Sequence, residues 1–371
     1  MMIEAHTLDA WTRIADRRTP VFRDATILGG FAAPLFLWLA GVSLVLSAAS
    51  VARRTGSRRA GAGAICRRGL EVFVLAFLFR LQAFLASPGS HPVALFRVDI
   101  LNIMGPAIAA AGVVWGMASV AGPQRVTSAL VMAYGAIAAA FAMLTPIVRA
   151  STLVDRLPVW FQFYVRPTGD MTMFTMFPWA GFVFAGAAAG ALIAAVDPSA
   201  ERSPAAGSAR LELTEGRVQI WLAAVGTVLI AAGFYTSALP SIYARSSFWT
   251  SSPTWFVIRA GILMVGLASI SGLAHVCERA GIALRPLERF GRSSLFVYWI
   301  HVELVYGYAA WSLYHRLPLW GTFVAYVFFC VLMYVAVVLR DWIVERWRSR
   351  PGTYAVPSFR SVRSVRLQAD R

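Results

Sequence analysis

Two histidines stand where this sequence could transfer a proton or a group. His6 precedes Asp9 by three residues, so on a helix their side chains share a face. That spacing lets the carboxylate hold the imidazole Nδ1–H and leaves Nε2 free as base or nucleophile. His301 closes a second pattern. Ser294, Tyr298 and His301 fall at i, i+4 and i+7, a polar stripe along an otherwise apolar helix. Glu303 lies about 200° around that helix from His301 and is expected to face a different partner.

Other polar residues interrupt apolar runs, where each is costly unless paired. Arg80 requires an anion: Asp99 or Glu303 from the protein, or a phosphate from a substrate or cofactor. In Phe96-Arg97-Val98-Asp99-Ile100-Leu101-Asn102, Asp99 and Asn102 share a face, and Pro106 frees the Asn102 carbonyl four residues earlier. Such a kinked, polar rim suits a substrate vestibule and equally a packed helix end. For every one of these residues the competing reading is a structural contact between helices. Arg67, Arg68, Arg285, Arg289 and Arg292 could hold the phosphates of an anionic cosubstrate, although membrane topology also accounts for them. No histidine pair has metal-ligand spacing and no His-Glu-x-x-His or Cys-x-x-Cys occurs, so no metal is expected. Cys66, Cys277 and Cys330 read as small core residues.

The elements that position these groups are membrane helices. Of 371 residues, 58% are hydrophobic and 14% charged, which excludes a soluble globular domain, a disordered chain and a disulfide scaffold. The formal charge of +16 comes from arginine without any lysine. Those arginines cluster in short loops between apolar runs, which points to membrane topology rather than nucleic acid. A spanning helix needs about 20 apolar residues. Nine stretches meet that length: 27–50, 69–87, 99–121, 126–148, 173–196, 217–239, 254–277, 291–311 and 318–340. The fold expected is an all-α polytopic transmembrane bundle. It comprises a transmembrane domain over 27–345, an outer segment over 1–26 and an arginine-rich cytoplasmic tail over 346–371, which would lie on anionic lipid.

Alternate loops carry 22 of the 34 arginines, which makes that set cytoplasmic and puts the C-terminus inside. Nine spans then leave residues 1–26 outside, yet no signal-peptide pattern precedes them. The opening Met-Met-Ile-Glu-Ala-His-Thr-Leu-Asp-Ala-Trp reads like the last turns of a helix under way, so a further span upstream is expected.

With these residues in place, the chain resembles the heparan-alpha-glucosaminide N-acetyltransferase-like group of polytopic membrane acyltransferases. The likeness rests on Met2-Ile3-Glu4-Ala5-His6 followed by Pro34-Leu35-Phe36-Leu37-Trp38-Leu39-Ala40-Gly41, on Arg97-Val98-Asp99-Ile100-Leu101, and on Gly291-Arg292-Ser293-Ser294-Leu295-Phe296-Val297-Tyr298-Trp299-Ile300-His301. The resemblance implies transfer of an acyl group, acetyl first, from cytosolic acyl-CoA to a sugar or glycan acceptor across the membrane. It also departs. The lysosomal member has asparagine at the His6 position and its catalytic histidine farther on, where this chain has Asp16, Arg17 and Arg18. Either His6 carries that role here or this branch performs different chemistry.

Two functions are therefore expected to compete. In a multi-pass acyltransferase of a bacterial inner membrane, His6 is base or acyl carrier and Asp9 orients it. His301 and Asn102 then donate to the developing oxyanion or position the acceptor, with Arg80, Arg97, Asp99, Tyr298 and Glu303 in the substrate site. Arg67, Arg68, Arg289 and Arg292 bind acyl-CoA. In a proton-coupled transporter, Arg80, Glu303 and His301 relay charge at mid-depth. The partners expected are membrane lipids and a small-molecule or glycan acceptor, with no nucleic acid; the oligomeric state is open, a homodimer included.

Overall fold

The computed structural model describes residues 1–86, 91–118, 120, 122, 125–196 and 214–348. All regular elements among them are helical. A short helix α1 (Met2–Trp11) leads through a 3-10 turn into α2 (Pro20–Gly29), which Thr19 caps by accepting the Phe22 N–H and which carries proline in its first turn. Next come α3 (Ala32–Thr55) and α4 (Arg58–Leu85). Gly56 takes the left-handed conformation after α3 (φ 66°), and Ser57 caps α4, so a two-residue link reverses the chain. The order continues with α5 (Ile100–Ala118), α6 (Val126–Ala150), α7 (Val159–Val165), α8 (Met176–Ala194), α9 (Glu215–Ser237) and α10 (Pro253–Arg279). The last three are α11 (Arg285–Arg292), α12 (Ser294–Tyr306) and α13 (Leu319–Arg348).

Seven helices among the described residues are long and apolar enough to cross a membrane, so the protein is an all-α, multi-pass bundle. The other two expected spans differ for separate reasons. α4 has the length, at 28 residues, but carries Arg67, Arg68, Glu71 and Arg80. The run 291–311 breaks at Ser293 and again at Gly307, whose extended backbone (ψ 179°) ends α12 after 13 residues. At 1.5 Å per residue that helix reaches about 20 Å, short of a bilayer core of about 30 Å. Residues 349–371 of the expected tail lie outside the described residues.

The central core joins α3, α4, α5, α6 and α8 around Leu37, Trp38, Ile103, Tyr134 and Phe182. Glycine permits its closest crossing. A Cβ on Gly41 of α3 would overlap the Val183 carbonyl oxygen of α8, and one on Gly186 would overlap the Trp38 carbonyl oxygen. A second, smaller core of Ala10, Trp11, Val305, Ala310, Phe329 and Met333 fastens α1 to α12 and α13. Backbone hydrogen bonds from Arg13 to Leu317 and from Leu317 to Trp11 continue this junction, and Asp16 accepts the Leu319 N–H at the start of α13 at 2.8 Å. The chain's first helix is thus held beside its last two, which brings His6 to His301.

Candidate active site

α1, the α2–α3 turn, α4, the segment before α5, α8 and α12 enclose a cavity of about 910 Å³. This is at the upper end of ordinary small-molecule sites, about 300–1,000 Å³. Of the residues singled out above, His6, Asp9, Arg80, Arg97, Asp99, Tyr298 and Glu303 line it. Residues more than 200 positions apart therefore converge on one space.

His6 and Asp9 do share a face, but the direct imidazole–carboxylate contact expected from their spacing is replaced by a three-member chain. The Tyr306 hydroxyl donates to Asp9 Oδ2 at 2.8 Å and lies 3.0 Å from His6 Nδ1. A carboxylate only accepts, so the single tyrosine proton goes to Asp9 and the tyrosine oxygen accepts from His6 Nδ1–H. That fixes the His6 tautomer with a free lone pair on Nε2. Tyr306 is the residue that sequence reading missed. Its signal was the cavity-facing series Tyr298, Val302, Tyr306 at i, i+4, i+8, which the Ser294–Tyr298–His301 stripe obscured.

His301 lies behind this chain and not on the cavity wall. It is fully buried, its Nδ1 donates to the Val297 carbonyl at 2.6 Å, and its Nε2 has no hydrogen-bond partner among the described residues. The His6 and His301 ring centroids are 5.2 Å apart. With Nδ1 carrying the proton, neutral His301 offers a lone pair toward its surroundings. It cannot donate to an oxyanion in that tautomer, which corrects the donor role expected for it. Glu303, around the helix from His301, faces the cavity as the helical geometry requires.

Arg80 and Asp99 form an ion pair with side chains 13% and 10% exposed, so the mid-helix arginine finds its anion within the protein. Asp99 sits just before α5, where its N–H donates to Asn102 Oδ1 at 3.0 Å in the manner of a capping box. Asn102 is thereby used in fixing Asp99; it is buried and does not line the cavity, against the substrate-site role expected for it. Val98 is clamped by backbone bonds to Met171 and Met173, which sets the Arg97–Asp99 segment on the rim. Tyr164 of α7 closes the other side of Asn102. Burial pushes its phenol up, and its hydrogen bond with Asn102 opposes that shift. Arg97 contributes a guanidinium whose Nε is buried without a hydrogen-bond partner among the described residues.

The four arginines expected to bind acyl-CoA do not converge. Arg67 and Arg68 line a separate groove of about 790 Å³ between α3 and α4, where both pair with Glu71, at 3.6 and 3.1 Å. Arg289 pairs with Asp341 and Arg292 with Glu288, and neither lines that groove or the cavity. Among the described residues no cluster of three or more metal-ligating side chains occurs.

Fold and cavity together define a multi-pass membrane protein with an imidazole, carboxylates and guanidinium groups gathered in one cavity between helices. The family model of the heparan-alpha-glucosaminide N-acetyltransferase catalytic region matches residues 1–225, more than half of the chain. The chain belongs to this acetyltransferase family. No curated protein and no solved structure matches it. The matched region contains His6, Asp9, Arg80, Arg97 and Asp99, whereas Tyr298, Glu303 and Tyr306 lie beyond it and complete the same cavity, with His301 behind them.

Proposed function

We propose that this protein transfers an acyl group, acetyl first, from cytosolic acyl-CoA to a sugar or glycan acceptor on the extracytoplasmic side. The observation that carries this reading is the His6 imidazole on the cavity wall, its Nδ1 held by the Tyr306 oxygen, in a chain of this acetyltransferase family. His6 acts as general base, or as transient acyl carrier, on the acceptor's amine or hydroxyl. Asp9 orients it through Tyr306, and His301 supplies the adjoining lone pair. Arg80, paired with Asp99, stabilises negative charge as the thioester opens, while Arg97, Tyr298 and Glu303 contact the acceptor. Arg67 and Arg68 in their groove meet the phosphates of the acyl-CoA at the cytoplasmic face, while Arg289 and Arg292, paired with Asp341 and Glu288, take no part. In this reading the protein sits in a bacterial inner membrane with its C-terminus in the cytoplasm, an orientation that the arginine-rich loops support.

Proteoliposomes enclosing glucosamine test this directly. With acetyl-CoA supplied at the cytoplasmic face, acetylated sugar accumulates inside, and His6→Ala lowers its rate by about 10²–10⁴-fold. Sugar uptake that follows a pH gradient without release of CoA would instead assign the cavity to proton-coupled transport.

A further inference from the structure

We propose that Tyr306 is a positioning and proton-relay residue, linking the His6 imidazole to the Asp9 carboxylate during acyl transfer. The inference rests on His6 acting as the base. Its geometry is a continuous chain: His6 Nδ1–H to the Tyr306 oxygen, 3.0 Å, then the Tyr306 hydroxyl to Asp9 Oδ2, 2.8 Å. The His6 and Tyr306 rings also pack edge to face, with centroids 5.5 Å apart. Beyond it, Arg17 fixes the far end. Its guanidinium lies 3.9 Å from Asp9 Oδ1, donates to the Asp9 carbonyl oxygen, and donates to His315 Nδ1 at 2.9 Å. The Asp9 side chain is 62% exposed, so the chain runs from the half-buried imidazole to solvent.

During transfer the acceptor's nitrogen or oxygen bonds to the acyl carbon, and its proton passes to His6 Nε2. The carbon–sulfur bond breaks with its electron pair going to sulfur, and the CoA thiolate takes a proton from cytosolic water. His6 would then carry two protons. Its Nδ1 proton moves to the Tyr306 oxygen as the tyrosine's own proton moves to Asp9 Oδ2, and Asp9 releases it to water outside. This leaves the proton on Nε2; its loss to water entering the cavity after the product leaves, with Nδ1 reprotonated from solvent through Asp9 and Tyr306, restores the starting tautomer. Without the tyrosine oxygen, Nδ1–H has no acceptor and the tautomer that frees Nε2 is no longer held.

Tyr306→Phe keeps the ring and removes only the relay atom. In acetyl-CoA turnover with glucosamine it is expected to lower kcat by about 10²-fold, at the lower end of a positioned base's contribution, with acceptor KM unchanged. The acid limb of its pH–rate profile moves to lower pH, because the Tyr306–Asp9 pair favours the charged imidazole. Asp9→Asn in the same background adds little further loss, since both changes cut one chain. Wild-type kcat and pH profile in Tyr306→Phe, beside an inactive His6→Ala, would overturn the relay and leave acyl transfer standing. An active His6→Ala would overturn the base assignment itself. Should Tyr306→Phe fail to fold, the exposed Asp9→Asn alone carries the test. The relay predicts the same loss of kcat there, and wild-type turnover would contradict it.

Discussion

At the scale of the residue, opposite charges are what hold the cavity's wall in place. Arg80 and Asp99 are mostly buried, so removing one partner leaves the other desolvated and unpaired. Asp99→Asn is expected to cost about 3–5 kcal/mol of stability, measured as a fall in melting temperature in detergent. Arg80→Met with Asp99→Leu restores much of that stability while turnover stays lost, which separates the pair's structural part from its functional one. This pair was legible in the sequence, because an arginine in an apolar run demands an anion and two carboxylates were at hand. His6 and Asp9 were legible as neighbours on one face. Tyr306 was not, since its contact with them is made by the docking of α1 onto α12, and its spacing from Tyr298 is masked by the Ser294–Tyr298–His301 stripe. Asn102 misled for the opposite reason. Its local spacing from Asp99 is real, but it serves a helix cap.

At the scale of the element, small residues and caps decide which helices meet. The α3–α8 crossing depends on bare backbone at Gly41 and Gly186. Gly186→Ala is expected to cost about 1–3 kcal/mol as the helices part to admit a methyl group, read as a lowered melting temperature. In sequence, Gly181, Gly186 and Gly190 stand among alanines, a pattern of close helix packing that names no partner helix. α13 begins against a cap supplied from far away. The Leu319 N–H, with Arg13 at 3.0 Å, holds the Asp16 carboxyl below its ordinary value. A depressed carboxyl stabilises the fold at neutral pH, and that contribution is lost as pH falls through its folded value. Asp16→Asn therefore melts earlier than wild type at pH 7, and the difference closes below about pH 4. The expected span 291–311 failed as a continuous element because hydropathy does not register Ser293 and Gly307 as breaks, whereas the backbone at both leaves the helical region.

At the scale of the whole molecule, arginine asymmetry and nine apolar runs made an all-α membrane bundle legible before any coordinate. The site was legible only in pieces, because it is assembled from the two ends of the chain. Residues 1–11 and 294–306 contribute its imidazoles and the chain between His6 and Asp9, and sequence distance hides that meeting. The proposed topology is open to test in a cysteine-free background. Asp24→Cys is expected to react with a membrane-impermeant maleimide in intact cells, and Arg59→Cys only after lysis. The reverse pattern would invert the molecule and put the acyl-CoA groove on the wrong side.

The most direct test of acyl transfer is release of free CoA thiol from acetyl-CoA by the purified protein, with and without a hexosamine acceptor. The cavity geometry predicts release that depends on acceptor and is lost in His6→Ala while the variant's melting temperature is kept. Acceptor-dependent release at the wild-type rate in His6→Ala, or none from the wild-type protein across several acyl-CoAs and acceptors, would contradict it.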